Sequence, residues 1–202
     1  MRPVVRVSFR HAAYAGPRAL GSLYGVTQQR TVHTADLTAG ELSRIRVLLE
    51  AAFKGDFDDS DWEHGLGGQH VLIDHGGGLV AHGSVVQRRV LHHGRSLRAG
   101  YIEAVAVRAD ARRRGLGSRV MRELERLVDG AYDLGALAAS DEGAPLYAAR
   151  DWWRWPGTLG TLGPSGPVPL PEEEGAVWVR SAPHALDSSD GLLFDWRDGD
   201  VL

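Results

Sequence analysis

A chain of 202 residues without cysteine, with a net charge of −3 and ordinary apolar content, reads as one soluble globular domain with appendages. The missing cysteine excludes disulfides, thiolate catalysis and cysteine-bound metal, and it suits a reducing cytoplasm. The negative balance argues against a general nucleic-acid binder, and no run of 18 apolar residues offers a membrane span.

Residues 1–29 carry no strong periodic element and are broken by Pro3, Gly16, Pro17, Gly21 and Gly25. They read as an N-terminal extension, a candidate for disorder or for a start codon placed too early, ahead of a domain over 30–202. Residues 30–33 read as a short strand. Thr38-x-x-Glu41 is a capping box, and Leu42, Ile45, Leu49 and Phe53 mark the amphipathic helix it opens. Residues 56–63 hold five acids and no base, with Asp58 or Ser60 able to cap a second short helix. Residues 70–74 and 79–86 form a hairpin across Gly76-Gly77-Gly78, and His92-His93-Gly94 makes the next turn.

Tyr101-Ile102-Glu103-Ala104-Val105-Ala106-Val107 reads as an apolar strand with one charge. A polar turn follows, and Arg112-Arg113-Arg114-Gly115-Leu116-Gly117 opens a helix with Leu116, Val120, Leu124, Leu127 and Val128 on one face. Unpaired N–H groups and the helix dipole at such a start attract an anion, and glycine permits close backbone approach. A solvated Arg-rich helix start is the plain alternative. Residues 133–139 read as a strand and 143–150 as a short helix carrying Tyr147. Residues 152–155 begin another strand, 156–171 form a Gly/Pro-rich loop, 176–180 are a last strand, and the acidic tail shows no periodicity.

The Arg-x-x-Gly-x-Gly loop after a Val-Ala-Val strand resembles the acetyl-CoA pyrophosphate loop of the GNAT N-acetyltransferases. The element order matches theirs, which implies an α/β fold with a mixed, mostly antiparallel central sheet flanked by helices. Residues 105–107 and 112–117 are then expected to hold the coenzyme: Val105, Ala106 and Val107, and Arg112, Arg113, Arg114, Gly115, Leu116 and Gly117. Amine acetylation needs a base for the ammonium, a donor to the thioester carbonyl and an acid for the thiolate. Glu103 is the candidate base, or else a charge facing solvent. The N–H of Val105 is the candidate donor. Tyr147 is the candidate acid, or else a core aromatic. Acids outnumber arginines eight to two over residues 172–202, which makes either a solvated tail or a field that draws a polycation. No histidine spacing suggests a metal.

A closer likeness lies in Val32-His33-Thr34-Ala35-Asp36-Leu37, Gly55-Asp56-Phe57, Ser60-Asp61-Trp62-Glu63-His64, Ala81-His82, Gln87-Arg88-Arg89, Gly130-Ala131-Tyr132 and Asp195-Trp196-Arg197. Together these resemble class I aminoglycoside 2′-N-acetyltransferases over about residues 30–202. The resemblance implies acetyl transfer from acetyl-CoA to an aminoglycoside, without metal, by a cytoplasmic homodimer. It implies drug contacts from Asp56, Asp61, Glu103, Ala104, Glu173, Asp200 and the carboxylate of Leu202, with Glu103 as water-linked base and Tyr147 as acid. Ala138, Glu173 and Leu202 depart from the family's serine, aspartate and tryptophan. Another polyamine or cell-wall amino sugar as acceptor, or coenzyme binding without catalysis, are the rival readings.

Overall fold

A computed structural model describes residues 26–140, 143–181 and 186–202. Strand β1 (Thr27–His33) leads into helices α1 (Ala39–Phe53) and α2 (Asp59–His64). Three strands follow, β2 (Gln69–His75), β3 (Gly78–His92) and β4 (Arg95–Val107), and then α3 (Leu116–Ala131), β5 (Leu134–Ala138) and α4 (Ala144–Ala148). The chain closes with β6 (Trp153–Arg154), β7 (Leu159–Gly163), β8 (Gly166–Pro169), β9 (Val177–Ser181) and β10 (Leu192–Asp195).

The ten strands make one sheet. One wing runs β1-β2-β3-β4-β5-β9-β6 and the other leaves β3 through β10, β7 and β8. The 15-residue β3 serves both wings, its first half paired with β2 and its last residues with β10. Neighbours are antiparallel except β4–β5 and β10–β7. The residues of β3 and β4 are buried for most of their length, because α1 covers one face and α3 the other.

The helix ends follow local chemistry. Thr38 and Glu41 form the reciprocal capping box of α1, and Asp58 and Asp61 form the same box for α2. The acids of 56–63 are therefore partly structural, and Asp59 pairs with Arg46 at 2.5 Å. Helix α3 lays Val120, Met121, Leu124 and Val128 on the sheet. It comes close enough that a Cβ on Gly83 would meet Val120 Cγ1 at 2.7 Å.

Three expectations shift. β1 begins at Thr27, so residues 27–29 belong to the sheet, paired with His75, Asp74 and Ile73; of the rest of the expected extension, Val26 is exposed ahead of the strand and residues 1–25 lie outside the described residues. The Gly/Pro-rich stretch 156–171 holds the hairpin β7–β8. The tail contributes β10, seated between β3 and β7.

Candidate active site

Strands β4 and β5 pair only where Ala99, Gly100 and Tyr101 meet Leu134, Gly135 and Ala136. Beyond Tyr101 they part, and the split opens beside a bulge. His82 faces Ala106 and Ser84 faces Glu103, which leaves Ala104 and Val105 together opposite Gly83. Ala104 takes the left-handed conformation, φ 52°. Next to the bulge lies a cleft of about 430 Å³, open to solvent. Its walls are Phe53, Phe57, Asp61 and His64 from α1, α2 and their junction, residues 101–104 of β4, Ala138 of β5, and Arg197, Asp200 and Leu202 of the chain end.

Glu103 is partly buried on this wall, not turned out to bulk solvent. Arg197 Nη1 donates to its Oε1 at 2.5 Å, while Arg197 Nε donates to the Asp200 carbonyl at 3.1 Å. The guanidinium lies 5.3 Å from the centre of the Tyr101 ring. A second arginine fixes the terminus. Arg88 is 4% exposed and donates to Asp195 Oδ1 at 2.8 Å, to the Asp195 carbonyl at 2.7 Å and to the Val201 carbonyl at 2.5 Å. The side chain of Leu202 is buried as a result. Asp195 and Asp190, which the charge count assigns to an acidic tail, serve this packing: Asp190 Oδ2 accepts the His93 N–H.

Burial pushes the Asp61 carboxyl up to about 6, and the charges of Asp58, Asp200 and Glu103 add to the rise against the Asp58 N–H that it accepts at 2.7 Å. His64 Nε2–H donates to the Asp198 carbonyl at 2.7 Å, and burial followed by nearby Arg197 depresses its basicity. Asp56 is exposed at the α1–α2 junction and is not among the residues lining the cleft. Glu173 sits in a 3₁₀ turn ahead of β9, off the lining, with its charge felt at the Tyr101 hydroxyl.

At the other end of the split, the loop before α3 is shaped by backbone. Arg112 Nε donates back to the Val107 carbonyl at 3.1 Å. Arg113 and Gly115 both have positive φ, 59° and 74°, and Gly115 caps α3 without a side-chain acceptor for its first N–H groups. A Cβ on Gly117 would stand 3.7 Å from Val107 Cγ2 and 3.8 Å from Leu146 Cδ2, in the gap between β4 and α4. Tyr147 is fully buried between the rings of Trp152 and Trp178, and its Oη has no hydrogen-bond partner. Burial pushes this phenol above its ordinary value and keeps it protonated. An open helix start, a strand edge without a neighbour and an orphaned phenol suit a long ligand with a phosphate end and a sulfur end.

A buried chain of side chains ends on the bulge. His82 Nδ1 lies 3.0 Å from the Ala104 carbonyl, His82 Nε2 lies 3.0 Å from His70 Nδ1, and His70 Nε2 lies 2.7 Å from Thr34 Oγ1.

A model of the acetyltransferase (GNAT) domain matches residues 33–154. The chain belongs to the GNAT acetyltransferases. An aminoglycoside 2′-N-acetyltransferase from Mycolicibacterium fortuitum is 46% identical over 176 residues, covering 85% of this chain and 90% of that one. Among solved structures, the GNAT family N-acetyltransferase YhbS from Escherichia coli, in complex with CoA, aligns with a TM-score of 0.56 at 16% identity over 90% of this chain and 94% of that one. Escherichia coli ElaA aligns with a TM-score of 0.55 at 18% identity, covering 77% of this chain and all of ElaA. These two likenesses concern the fold.

The acetyltransferase thus brings Asp61, Glu103, Ala104, Asp200 and Leu202 to one cleft, and sets residues 105–107 and 112–117 at the adjoining split, with Tyr147 buried in the core cluster that Val105 and Val107 share. Sequence reading missed Arg197, Arg88, His64, Tyr101, His70 and His82. One signal was available: His82 interrupts Val80-Ala81-x-Gly83-Ser84-Val85-Val86, where a buried imidazole must find partners. No helix among the described residues is long and apolar enough to cross a membrane.

Proposed function

We propose that the enzyme transfers the acetyl group of acetyl-CoA to the 2′-amine of aminoglycosides by direct attack in a ternary complex, and so confers resistance. The observation that carries this reading is the placement of Glu103 at the mouth of the β4–β5 split, in a cleft that also holds Asp61, Asp200 and the chain end. Several carboxylates around one cavity suit a polycationic amine. The 46% identical relative bears the name of that activity.

Acetyl-CoA, when bound, supplies an activated thioester. The N–H groups that open α3, with Arg112, Arg113 and Arg114 beside them, would hold its pyrophosphate, and Val105 and Val107 would pair with its pantetheine arm. The Val105 N–H would donate to the thioester carbonyl and stabilise the negative charge that grows there. Arg197 neutralises Glu103 in the free enzyme, and an incoming ammonium competes for the same carboxylate. Glu103 would then take a proton from that ammonium through a water, freeing the nitrogen lone pair. Tyr147 would give its proton to sulfur as the C–S bond breaks. Asp61, Ala104, Asp200 and Leu202 would orient the drug from the cleft wall, and Asp56 and Glu173, which lie off that wall, would reach only parts of the drug that extend beyond it. The enzyme would work as a homodimer in the cytoplasm, where its coenzyme is made.

Acceptor profiling tests it. Thiol release from acetyl-CoA is measured with aminoglycosides that have a 2′-amine and with matched ones that carry a 2′-hydroxyl, and the product is located by NMR. Turnover confined to 2′-amino drugs is expected. Equal turnover on simple polyamines or cell-wall amino sugars would replace the proposed acceptor, and coenzyme binding without turnover on any amine would remove the catalytic reading.

A further inference from the structure

We propose that His82 is a positioning residue for acetyl transfer: it donates its Nδ1–H to the Ala104 carbonyl and thereby fixes and polarises the peptide group whose N–H, that of Val105, faces the acetyl thioester. The inference rests on the reading of the β4–β5 split as the acetyl-CoA site.

The direction of the hydrogen-bond chain is forced by its carbonyl end. A carbonyl can only accept, so at 3.0 Å from the Ala104 oxygen His82 must carry its proton on Nδ1. A neutral imidazole has one N–H, so His82 Nε2 accepts, and His70 Nδ1–H is the donor at 3.0 Å. His70 Nε2 is then an acceptor, which the Thr34 hydroxyl serves at 2.7 Å. The Thr34 oxygen in turn accepts the Gly67 N–H at 2.9 Å. Burial depresses both imidazoles, to about 4 for His70 and about 3 for His82, and keeps them neutral. Each imidazole therefore has one role, and both point at one carbonyl; the Thr34 hydroxyl, with the Gly68 carbonyl 3.2 Å away as its other acceptor, closes the far end.

The other end of that peptide points into the split. The Arg108 N–H bonds to the Val80 carbonyl at 2.8 Å, toward β3. Backbone groups alternate sides along a strand, so Ala106 also faces β3, while Val105 and Val107 face away, where β5 has departed. The peptide is trans, so its C=O and N–H are opposed. A donor on the Ala104 oxygen therefore aims the Val105 N–H away from His82. Ala104 is in the left-handed region without being glycine, a conformation that needs outside support. A hydrogen bond accepted by an amide oxygen also strengthens the bond its N–H donates. A histidine pair that merely fills space would do neither.

The test compares His82→Leu, which keeps volume and loses the donor, with His82→Asn, whose amide can replace Nδ1–H. Infrared spectra of enzyme-bound acetyl-CoA labelled with ¹³C at the thioester carbonyl, without acceptor, report the polarisation directly. In the wild-type enzyme the carbonyl stretch should move to lower frequency on binding. In His82→Leu most of that shift should vanish and kcat should fall by about 10- to 100-fold, less than or comparable to loss of an oxyanion donor, with acetyl-CoA affinity within about threefold. His82→Asn should recover much of both. A full shift and near-normal kcat in His82→Leu would overturn the role. If His82→Leu does not fold, Thr34→Val, which leaves the buried His70 Nε2 without its hydroxyl donor and so loosens the ring that donates to His82, is expected to reduce shift and kcat together, and an unchanged Thr34→Val enzyme would overturn the proposal. Absence of any acetyl-CoA binding or carbonyl shift in the wild-type enzyme would instead sink the coenzyme-site reading, so the two failures are distinguishable.

Discussion

On the α3 side of the split, the groove is made from one continuous stretch. Val105 and Val107 come from β4, the left-handed Arg113 and Gly115 from the loop, and the uncapped N–H groups from the first turn of α3. On the α1 and α2 side, the cleft is assembled from segments far apart in the chain: Asp61 and His64, residues 101–104, and Arg197 to Leu202. The first region works through backbone geometry, which tolerates many side chains provided φ is allowed. The second works through side-chain charge, and its members are already engaged with one another before any drug arrives. The bulge at Ala104 is where the two meet. On the proposed reading, holding the coenzyme rests on local structure, whereas acceptor choice rests on long-range contacts.

Substitutions should divide along this line. The largest effect is expected where the halves join: Glu103→Gln should lower kcat by about 10² to 10³ while acetyl-CoA affinity stays near wild type, as removal of a general base does. Wild-type steady-state kinetics in that variant would take Glu103 out of the mechanism. Tyr147→Phe should lower kcat by about tenfold with little effect on drug KM, because only thiolate departure loses its acid. A loss seen as drug KM would assign Tyr147 to packing.

On the backbone side, Gly117→Val should raise the acetyl-CoA KM by about tenfold. The protein has room for the first carbon beside Val107 and Leu146, so the obstruction falls on the ligand in that gap. Arg113→Ala should change the same KM by about twofold at most, since Arg113 is exposed and screened. The reverse order would break the contrast between backbone and charge. On the charge side, truncating Val201 and Leu202 mixes two effects, because the Val201 carbonyl is a partner of buried Arg88. Asp200→Asn is the cleaner variant, with an expected rise of about fivefold in drug KM and none in acetyl-CoA KM, from loss of a charge-assisted contact in a partly wet cleft.

The smallest effect should be a pH dependence. Asp61 has its carboxyl raised to about 6, so falling pH neutralises it through that value and weakens attraction to an ammonium. The drug KM should rise modestly as pH drops from 7 to 5, and Asp61→Asn should flatten that limb. The sign for stability is opposite to that of a paired carboxylate: a raised carboxyl favours the folded state fully below its unfolded pKa of 3.8, and this contribution is lost as pH rises through about 6. A KM profile that is flat in the wild-type enzyme would remove Asp61 from drug binding.

Residues 101–131, an apolar run followed by a 3.6-residue period, specify strand, turn and helix within one short stretch, and so the elements proposed to hold the coenzyme are legible from local pattern alone. The capping box at Thr38 is legible for the same reason, since it is completed within four residues, whereas for the second helix the sequence leaves the cap between Asp58 and Ser60 and the structure chooses Asp58, boxed with Asp61. The hairpin β7–β8 is not, because glycine and proline dominate it and β7 is held by its neighbour β10, where a Cβ on Gly160 would fall 2.6 Å from Cδ2 of its partner Leu193. Nor could sequence choose between a tail and a strand for residues 192–195, which lack a period of their own and are ordered by β3 and β7. The contact of Arg197 with Glu103 spans 94 residues and that of Arg88 with Asp195 spans 107. Charge counting can name such partners but cannot pair them, because pairing depends on which side of the sheet each segment reaches and on burial that makes an unpaired charge costly. Local periodicity therefore determined the elements from β1 to β5, among them the strand, loop and helix proposed to hold the coenzyme, while only the assembled sheet decided the places of β7, β8 and β10, which arginines restrain Glu103 and Asp195, and that His82 lies against the carbonyl of Ala104.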